Sequence, residues 1–210
     1  MPNYRHERFA GGRVAGVDEA GRGPLAGPVL AAALVFTRGV PRGLGRLLDD
    51  SKKLTAGQRH EAFDALRLAR AAGRVEYAIA AASAAEIGSV NILQATYLAM
   101  QRAVSRLPSR PDVALIDGNR APAMPCRTVC IVDGDALSLS IAAASILAKV
   151  MRDRAMTRLC ARWPAYGFSS HKGYASRSHR AALEAHGPTP HHRRGFAPVE
   201  AAYGRLLLSP

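Results

Sequence analysis

The chain has 210 residues, 48% of them hydrophobic, which fits one folded domain and excludes a disordered chain. Its 29 Lys and Arg residues against 16 Asp and Glu residues give a formal net charge of +13, which favours a polyanionic partner, either nucleic acid or a membrane surface. No apolar run is long enough for a membrane span, the first residues lack a secretory signal, and three cysteines are too few for a disulfide framework, so we expect a cytoplasmic protein.

The first part of the chain predicts three strands and a helix. Residues 13–18 (RVAGVD) are expected to form a short strand that stops at an acidic pair. Residues 28–36 (PVLAAALVF) are typical of a central strand that is buried on both faces. A turn-rich connection follows, then helical spacing up to about residue 72, and residues 75–82 form the third predicted strand.

The second part predicts two more strands and two helices. An amphipathic helix is expected over residues 89–106, followed by strands over 112–117 and 127–133. The longest helix is predicted over residues 138–163 and is closed by Pro164. This order indicates an α/β domain with a mixed sheet, in which a catalytic core of about residues 10–163 precedes a basic, short helical extension over about 164–210.

Acidic residues follow three of the predicted strands: Asp18 with Glu19, then Asp117, then Asp133 with Asp135. If these strands lie side by side, the acids meet at one rim of the sheet. Oxygen ligands suit Mg²⁺ or Mn²⁺, and two such ions can activate a water and stabilise the leaving oxygen in phosphodiester cleavage. The alternative is that each acid is a solvated turn residue or a helix cap.

Gly21, Arg22 and Gly23 follow the first acidic pair. Glycine allows the backbone to come close to a phosphate or a sugar. The spacing does not match a dinucleotide-binding loop, and a strand rather than a helix follows.

Basic residues accompany polar and aromatic ones in the last third of the chain. Ser145, Lys149 and Arg152 share one face of the longest predicted helix, which is either a phosphate-binding face or a solvated one. Lys172 and Tyr174 combine a cation with a ring that can stack on a sugar or a base. The histidines and cysteines match no standard zinc spacing.

Several segments together carry a resemblance to a known family: VAGVDEAGRGPLAGPV, DDSKKLT, NILQATYLAMQRAV, LIDGNRAP, SIAAASILAKVMRD, YGFSSHKGY and HGPTPHHRRGF. Over nearly all of its length the chain resembles the bacterial type 2 ribonucleases H. The resemblance implies a single domain of ribonuclease H-like fold, α/β, with a mixed central sheet flanked by helices.

The resemblance also implies an endonuclease that depends on Mn²⁺ or Mg²⁺. Such an enzyme hydrolyses the RNA strand of RNA–DNA hybrids and nicks duplex DNA 5′ to an embedded ribonucleotide, leaving 3′-hydroxyl and 5′-phosphate ends. It would remove ribonucleotides and RNA primers during DNA replication and repair. We expect a monomer with no membrane partner, and no motif for docking to a sliding clamp is evident in residues 205–210.

By the family's motifs, Asp18, Glu19, Asp117 and Asp135 are implied to be the catalytic, metal-binding residues. Asp133 stands where the family has a lysine, so a cation near the site becomes an anion. The resemblance implies that Gly21, Arg22 and Gly23 recognise the ribose 2′-hydroxyl and that Tyr174 packs beside the RNA–DNA junction. The other expected substrate contacts are Ser51, Lys52, Ser145, Lys149 and Lys172.

Two alternatives stay open from the residues alone. One is a metal-dependent nuclease of similar fold that cuts DNA structures. The other is a nucleic-acid-binding protein without activity, which the net charge and Asp133 would both suit.

Overall fold

A computed structural model describes residues 1–208, with side chains described through Arg205. The chain divides into two compact units, which are described separately, and the predicted single domain stays a prediction. Unit 1 contains Met1–Ala20, Leu30–Ala81 and Tyr97–Val150. Unit 2 contains Gly21–Val29, Ala82–Thr96 and the chain from Met151 onward.

The predicted mixed sheet is confirmed. Its strands are β1 (Val14–Ala20), β2 (Val29–Phe36), β3 (Val75–Ala82), β4 (Val113–Asp117) and β5 (Arg127–Ile131). They lie in the order β3-β2-β1-β4-β5. β1 pairs with β2 in antiparallel and with β4 in parallel orientation, and β4 is parallel to β5. All eight residues of β2 are buried, as the continuous apolar run predicts.

The helices of the described residues are α1 (Arg5–Ala10), α2 (Ala56–Ala71), α3 (Ala84–Ser105), α4 (Gly134–Leu137), α5 (Leu139–Arg162), α6 (Phe168–His171), α7 (Arg177–His186) and α8 (Ala197–Leu208). The long predicted helix is confirmed as α5, and α6 to α8 confirm a helical C-terminal extension. Among the described residues, none of these helices has the length and apolar content to cross a membrane.

Three of the predicted elements, two strands and one helix, have boundaries that are wrong. β1 continues through the acidic pair to Ala20, because its pairing with β2 extends to Ala20 and Leu30. β5 ends at Ile131 rather than 133, since Asp133 adopts a left-handed conformation that no strand accommodates.

The helix predicted from residue 89 begins at Ala84 and is broken at Asn91, which has a φ of 67°. Ser83 and Glu86 cap its start by exchanging side-chain and backbone hydrogen bonds, a capping signal that the periodicity does not contain. The Asn91 carboxamide then accepts the N–H groups of Leu93 and Gln94, which starts the second helical segment.

In unit 1, β1 and the start of α5 touch backbone to backbone. A Cβ added at Gly16 would lie 2.1 Å from the carbonyl carbon of Ser140, so only glycine allows this approach. Val14, Leu115 and Ile141 pack in the apolar cluster that joins β1, β4 and α5. This close contact fixes the helix that carries Ser145 against the strand that carries Asp18.

Candidate active site

Asp18 and Asp117 lie on neighbouring parallel strands, Asp117 at the end of β4 and Asp18 two residues before the end of β1. Val17 is in register with Ile116, so the next residues on β1 and β4 are the two aspartates. The expectation that strand ends bring carboxylates together is confirmed for this pair. Asp18 is only 4% exposed, which places one of the two charges inside the protein.

The Asp18 carboxylate lies in an unfavourable setting for a negative charge. Burial, Glu19 and Asp117 together raise the pKa of Asp18 well above its ordinary value. Hydrogen bonds from Ser145 and from the Glu19 N–H, the latter 2.6 Å long, act in the opposite direction. The site therefore holds negative charge that a bound cation would stabilise.

Asp18 and Glu19 lie in different environments, because successive side chains of a strand point to opposite faces of the sheet. Asp18 is buried, whereas Glu19 is half-buried near the end of β1. Since both carboxylates still interact electrostatically, the pair contributes two negative charges to one region.

A tight turn after β5 brings Asp135 to the same region. The Gly134 N–H donates to Asp117 Oδ1 at 2.7 Å, and Asp135 follows in α4 with 6% exposure. Burial, Asp117 and Asp50 raise the pKa of Asp135 to about 6. Asp133 is exposed, so it is Asp135 that lies buried beside the other carboxylates.

Asp50 is an acidic residue of this region that the sequence reasoning missed. Its side chain hydrogen-bonds Asp135 and accepts the Lys52 N–H at 2.9 Å. The only signal for it was its position in the segment DDSKKLT.

Lys52 provides a positive charge among these carboxylates. Burial acts to lower the pKa of its ammonium group, but the neighbouring acids raise it above the ordinary value. Those acids are, in order of effect, Asp135, Asp50, Asp18 and Asp117. The Lys52 ammonium group therefore offsets part of the negative charge of these carboxylates. Lys52 and the carboxylates all belong to unit 1.

Ser51 and Ser145, two of the predicted substrate contacts, contact each other. Their hydroxyl oxygens are 2.8 Å apart, and both residues are buried. Because Ser145 also hydrogen-bonds Asp18, the pair orients that carboxylate. Lys149 is half-buried one turn later on α5, and a contact of any of these residues with substrate stays a prediction.

The donor chemistry of this region fits a hard divalent cation. Asp18, Glu19, Asp117 and Asp135 offer only oxygen atoms, and burial together with neighbouring carboxylates raises the pKa of Asp18 and of Asp135. In residues 1–208, no three His, Cys, Asp or Glu side chains are arranged closely enough to hold a metal ion by themselves. The carboxylates thus fit the role of partial ligands, with water and substrate oxygens completing the coordination that Mg²⁺ prefers.

In unit 2, Gly21, Arg22 and Gly23 form a turn that we name the glycine loop, in which Arg22 and Gly23 are exposed. Gly21 has a φ of +98°, and a Cβ added there would lie 1.9 Å from Arg152 Nε. A Cβ at Gly23 would lie 3.7 Å from the ring of Tyr174, which is 48% exposed. The structure therefore brings the loop and the predicted stacking tyrosine together.

The predicted phosphate-binding face of α5 is buried where it enters unit 2. Arg152 is 1% exposed and donates to the carbonyl oxygens of Pro28 and Lys172 at 3.2 and 3.0 Å. It serves the packing of this unit rather than a solvated face. Lys172 is half-buried, and its ammonium donates to the Ser169 carbonyl and the Thr157 hydroxyl.

Two histidines of unit 2, His179 and His192, form a buried hydrogen-bonded chain. The Thr189 N–H donates to His192 Nδ1 at 2.9 Å, so neutral His192 carries its proton on Nε2. That nitrogen lies 3.0 Å from His179 Nε2, and His179 Nδ1 donates to the Tyr174 carbonyl at 2.8 Å. The chain thus supports the backbone of Tyr174, and it needs both rings neutral.

Acid should therefore weaken unit 2 through His192. Burial and the neighbouring His179 lower the pKa of His192 to about 4, whereas the unfolded chain binds this proton near pH 6.5. The stabilisation is complete above the unfolded pKa and is lost as the pH falls towards 4, by up to about 3 kcal/mol. We expect urea unfolding to show this slope, and His192→Gln to flatten it; an equal change in the exposed control His60→Gln would contradict the assignment.

Solved structures with the same architecture include two from archaea. Ribonuclease H2 from Pyrococcus horikoshii matches with a TM-score of 0.73 and 25% identity, over 94% of this chain and 100% of that one. A ribonuclease HII from Archaeoglobus fulgidus, solved as its complex with PCNA, matches with a TM-score of 0.66 and 26% identity, over 87% of this chain and 94% of that one. The fold places the chain among the ribonucleases H, endonucleases that depend on divalent metal ions and hydrolyse RNA in RNA–DNA hybrids.

Sequence similarity identifies the protein family. Residues 15–199 match the model of the ribonuclease HII family. A ribonuclease HII from Granulibacter bethesdensis is 59% identical over 200 residues, which cover 95% of this chain and 90% of that protein. The chain belongs to the ribonuclease HII family.

Proposed function

We propose that the protein nicks duplex DNA 5′ to an embedded ribonucleotide, in addition to cutting the RNA strand of longer hybrids, and leaves 3′-hydroxyl and 5′-phosphate ends. The observation that supports this best is the carboxylate pair on the adjacent strands β1 and β4, in which Asp18 is buried and Asp117 is half-buried. The glycine loop, which the family resemblance assigns to ribose recognition, begins one residue after β1 ends. This activity would serve ribonucleotide and primer removal.

In the proposed mechanism, Asp18, Glu19, Asp117 and Asp135 would hold the divalent ions, whose charge would serve to activate the attacking water and stabilise the leaving oxygen. Ser145 and the Glu19 N–H orient the Asp18 carboxylate, and the Gly134 N–H orients that of Asp117. Preorganised carboxylates need little rearrangement when the cations and the phosphate bind.

Substrate binding is proposed to use both backbone and side chains. The glycine loop would donate backbone hydrogen bonds to the 2′-hydroxyl, the group that distinguishes RNA from DNA. Tyr174 would pack against the sugar, and Lys52, Lys149 and Lys172 would contact phosphates without sequence preference. The net charge of +13 predicts that affinity falls as salt rises.

We further propose that either Mg²⁺ or Mn²⁺ supports activity and that the protein acts as a monomer in the cytoplasm. The relative from Archaeoglobus fulgidus was solved with PCNA. The prediction that residues 205–210 carry no clamp-docking motif falls mainly on residues 206–210, whose side chains lie outside the described part of the chain.

A substrate panel tests the proposal. We expect cleavage of an RNA–DNA hybrid and of duplex DNA with one ribonucleotide, with either metal ion, and no cleavage of the all-DNA duplex. Equal cutting of structured DNA would favour a nuclease of another specificity. Binding without cleavage at any metal concentration would favour a binding protein.

A further inference from the structure

Arg193 lies beneath the glycine loop with its guanidinium spread over the loop's backbone. It is 0% exposed. Nη2 donates to the Gly21 carbonyl at 2.7 Å, and Nη1 donates to the Arg22 carbonyl at 2.9 Å. Two further bonds go to the carbonyls of Gly27 and Pro28, at 2.8 and 3.1 Å. One side chain therefore holds both ends of the segment from residue 21 to residue 28.

This contact places a positive charge inside the protein without an acidic partner. Arg193 forms no ion pair with the side chains described, and its hydrogen-bond acceptors are backbone carbonyls. Burial and the equally buried Arg152 lower the pKa of Arg193 to about 9. An unpaired buried cation costs stability, so the carbonyl dipoles must be held firmly around it.

The bonds of Arg193 also determine where the loop's N–H groups point. The chain contains no cis peptide in its described part, and in a planar trans peptide the C=O and the N–H point in opposite directions. The Gly21 carbonyl shares its peptide with the Arg22 N–H, and the Arg22 carbonyl shares its peptide with the Gly23 N–H. Because both carbonyls face Arg193, both N–H groups face away from it.

We propose that Arg193 is the positioning residue that presents the N–H groups of Arg22 and Gly23 to the ribose 2′-hydroxyl. This inference rests on the proposed function, since it explains how the glycine loop distinguishes ribose from deoxyribose. The planar guanidinium fork is required, because a lysine ammonium cannot donate to several carbonyls in one fixed plane.

Arg193→Lys tests the role, with Arg194→Lys as the matched control. Arg194 is the next residue, but its side chain is exposed and pairs with Glu200 at 2.8 Å. Binding is compared in the Asp18→Asn background for two duplexes that differ only in one 2′-hydroxyl. We expect Arg193→Lys to lower the preference for the ribonucleotide at least about fivefold, which is the effect of one or two lost hydrogen bonds, and Arg194→Lys to stay within about twofold.

The outcomes separate this inference from the proposed function. If the protein with Arg193 intact shows no preference for the ribonucleotide duplex, the proposed function is contradicted. If the protein clearly prefers the ribonucleotide duplex and Arg193→Lys keeps that preference, only the proposed role of Arg193 is overturned. A merely structural role would lower the unfolding temperature without changing the preference between the two duplexes, which also overturns it.

A measurement on the unsubstituted protein covers the case in which Arg193→Lys does not fold. In the absence of divalent metal, the amide resonances of Arg22 and Gly23 should shift more with the ribonucleotide duplex than with the all-DNA duplex. Equal shifts with both duplexes would overturn the proposal.

Discussion

Asp18→Asn and Asp117→Asn should each lower the cleavage rate at least about 100-fold while duplex binding stays close to that of the unsubstituted protein. Each change removes one negative oxygen from the carboxylate pair on β1 and β4 that we propose as metal ligands. In the proposed mechanism this charge holds the divalent ions, whereas phosphate contacts elsewhere supply the affinity for the duplex.

The same variants should be more stable than the unsubstituted protein when metal is absent. Asp18 is buried beside Glu19 and Asp117, so removing its charge relieves repulsion that no cation then offsets. Single-turnover cleavage and thermal unfolding in chelator check both effects. Asp64→Asn, an exposed change on α2, is the matched control and should alter neither. Full turnover by Asp18→Asn would remove this residue from the metal site.

Gly21→Ala should destabilise the protein by about 3 kcal/mol and reduce cleavage with it. The left-handed φ of +98° is unfavourable for alanine, and the new Cβ would overlap the buried side chain of Arg152. Arg152 has no room to give way, since it is 1% exposed and bonded to three carbonyls.

Gly23→Ala is the informative comparison within the glycine loop. Its Cβ would meet only the Tyr174 ring at an ordinary 3.7 Å, and its φ lies outside the left-handed range, so the fold should change by less than about 1 kcal/mol. Urea unfolding measures both variants. Equal stability of the two would contradict the close packing of Gly21 on Arg152, and reduced cleavage by a stable Gly23→Ala would locate substrate at the loop.

Local patterns predicted much of the fold. The apolar run of β2 and the helical spacing of α5 gave nearly the observed bounds, because hydrophobic periodicity records which faces are buried. The extension of β1 to Ala20 could not be predicted, since it depends on pairing with β2. The break at Asn91 depends on its side-chain cap, which apolar spacing does not reveal.

The sequence predicted those candidate site residues that belong to a recognisable motif. It did not predict contacts between residues that are distant in the chain. Asp18 and Asp117 follow from strand ends. The contact of Asp50 with Asp135 joins residues far apart in the chain, so only the fold reveals it. The sequence does not indicate the proposed role of Arg193. Arg193 and Arg194 are adjacent basic residues, and nothing in the sequence shows that Arg193 is buried while Arg194 is exposed.

The most direct test of the account is cleavage of one DNA duplex that contains a single ribonucleotide, with Mn²⁺ or Mg²⁺ present and then chelated. We predict one nick on the 5′ side of the ribonucleotide, with a 3′-hydroxyl and a 5′-phosphate, only when the metal is present. Cleavage at other positions, equal cleavage of the all-DNA duplex, or cleavage in chelator would contradict it.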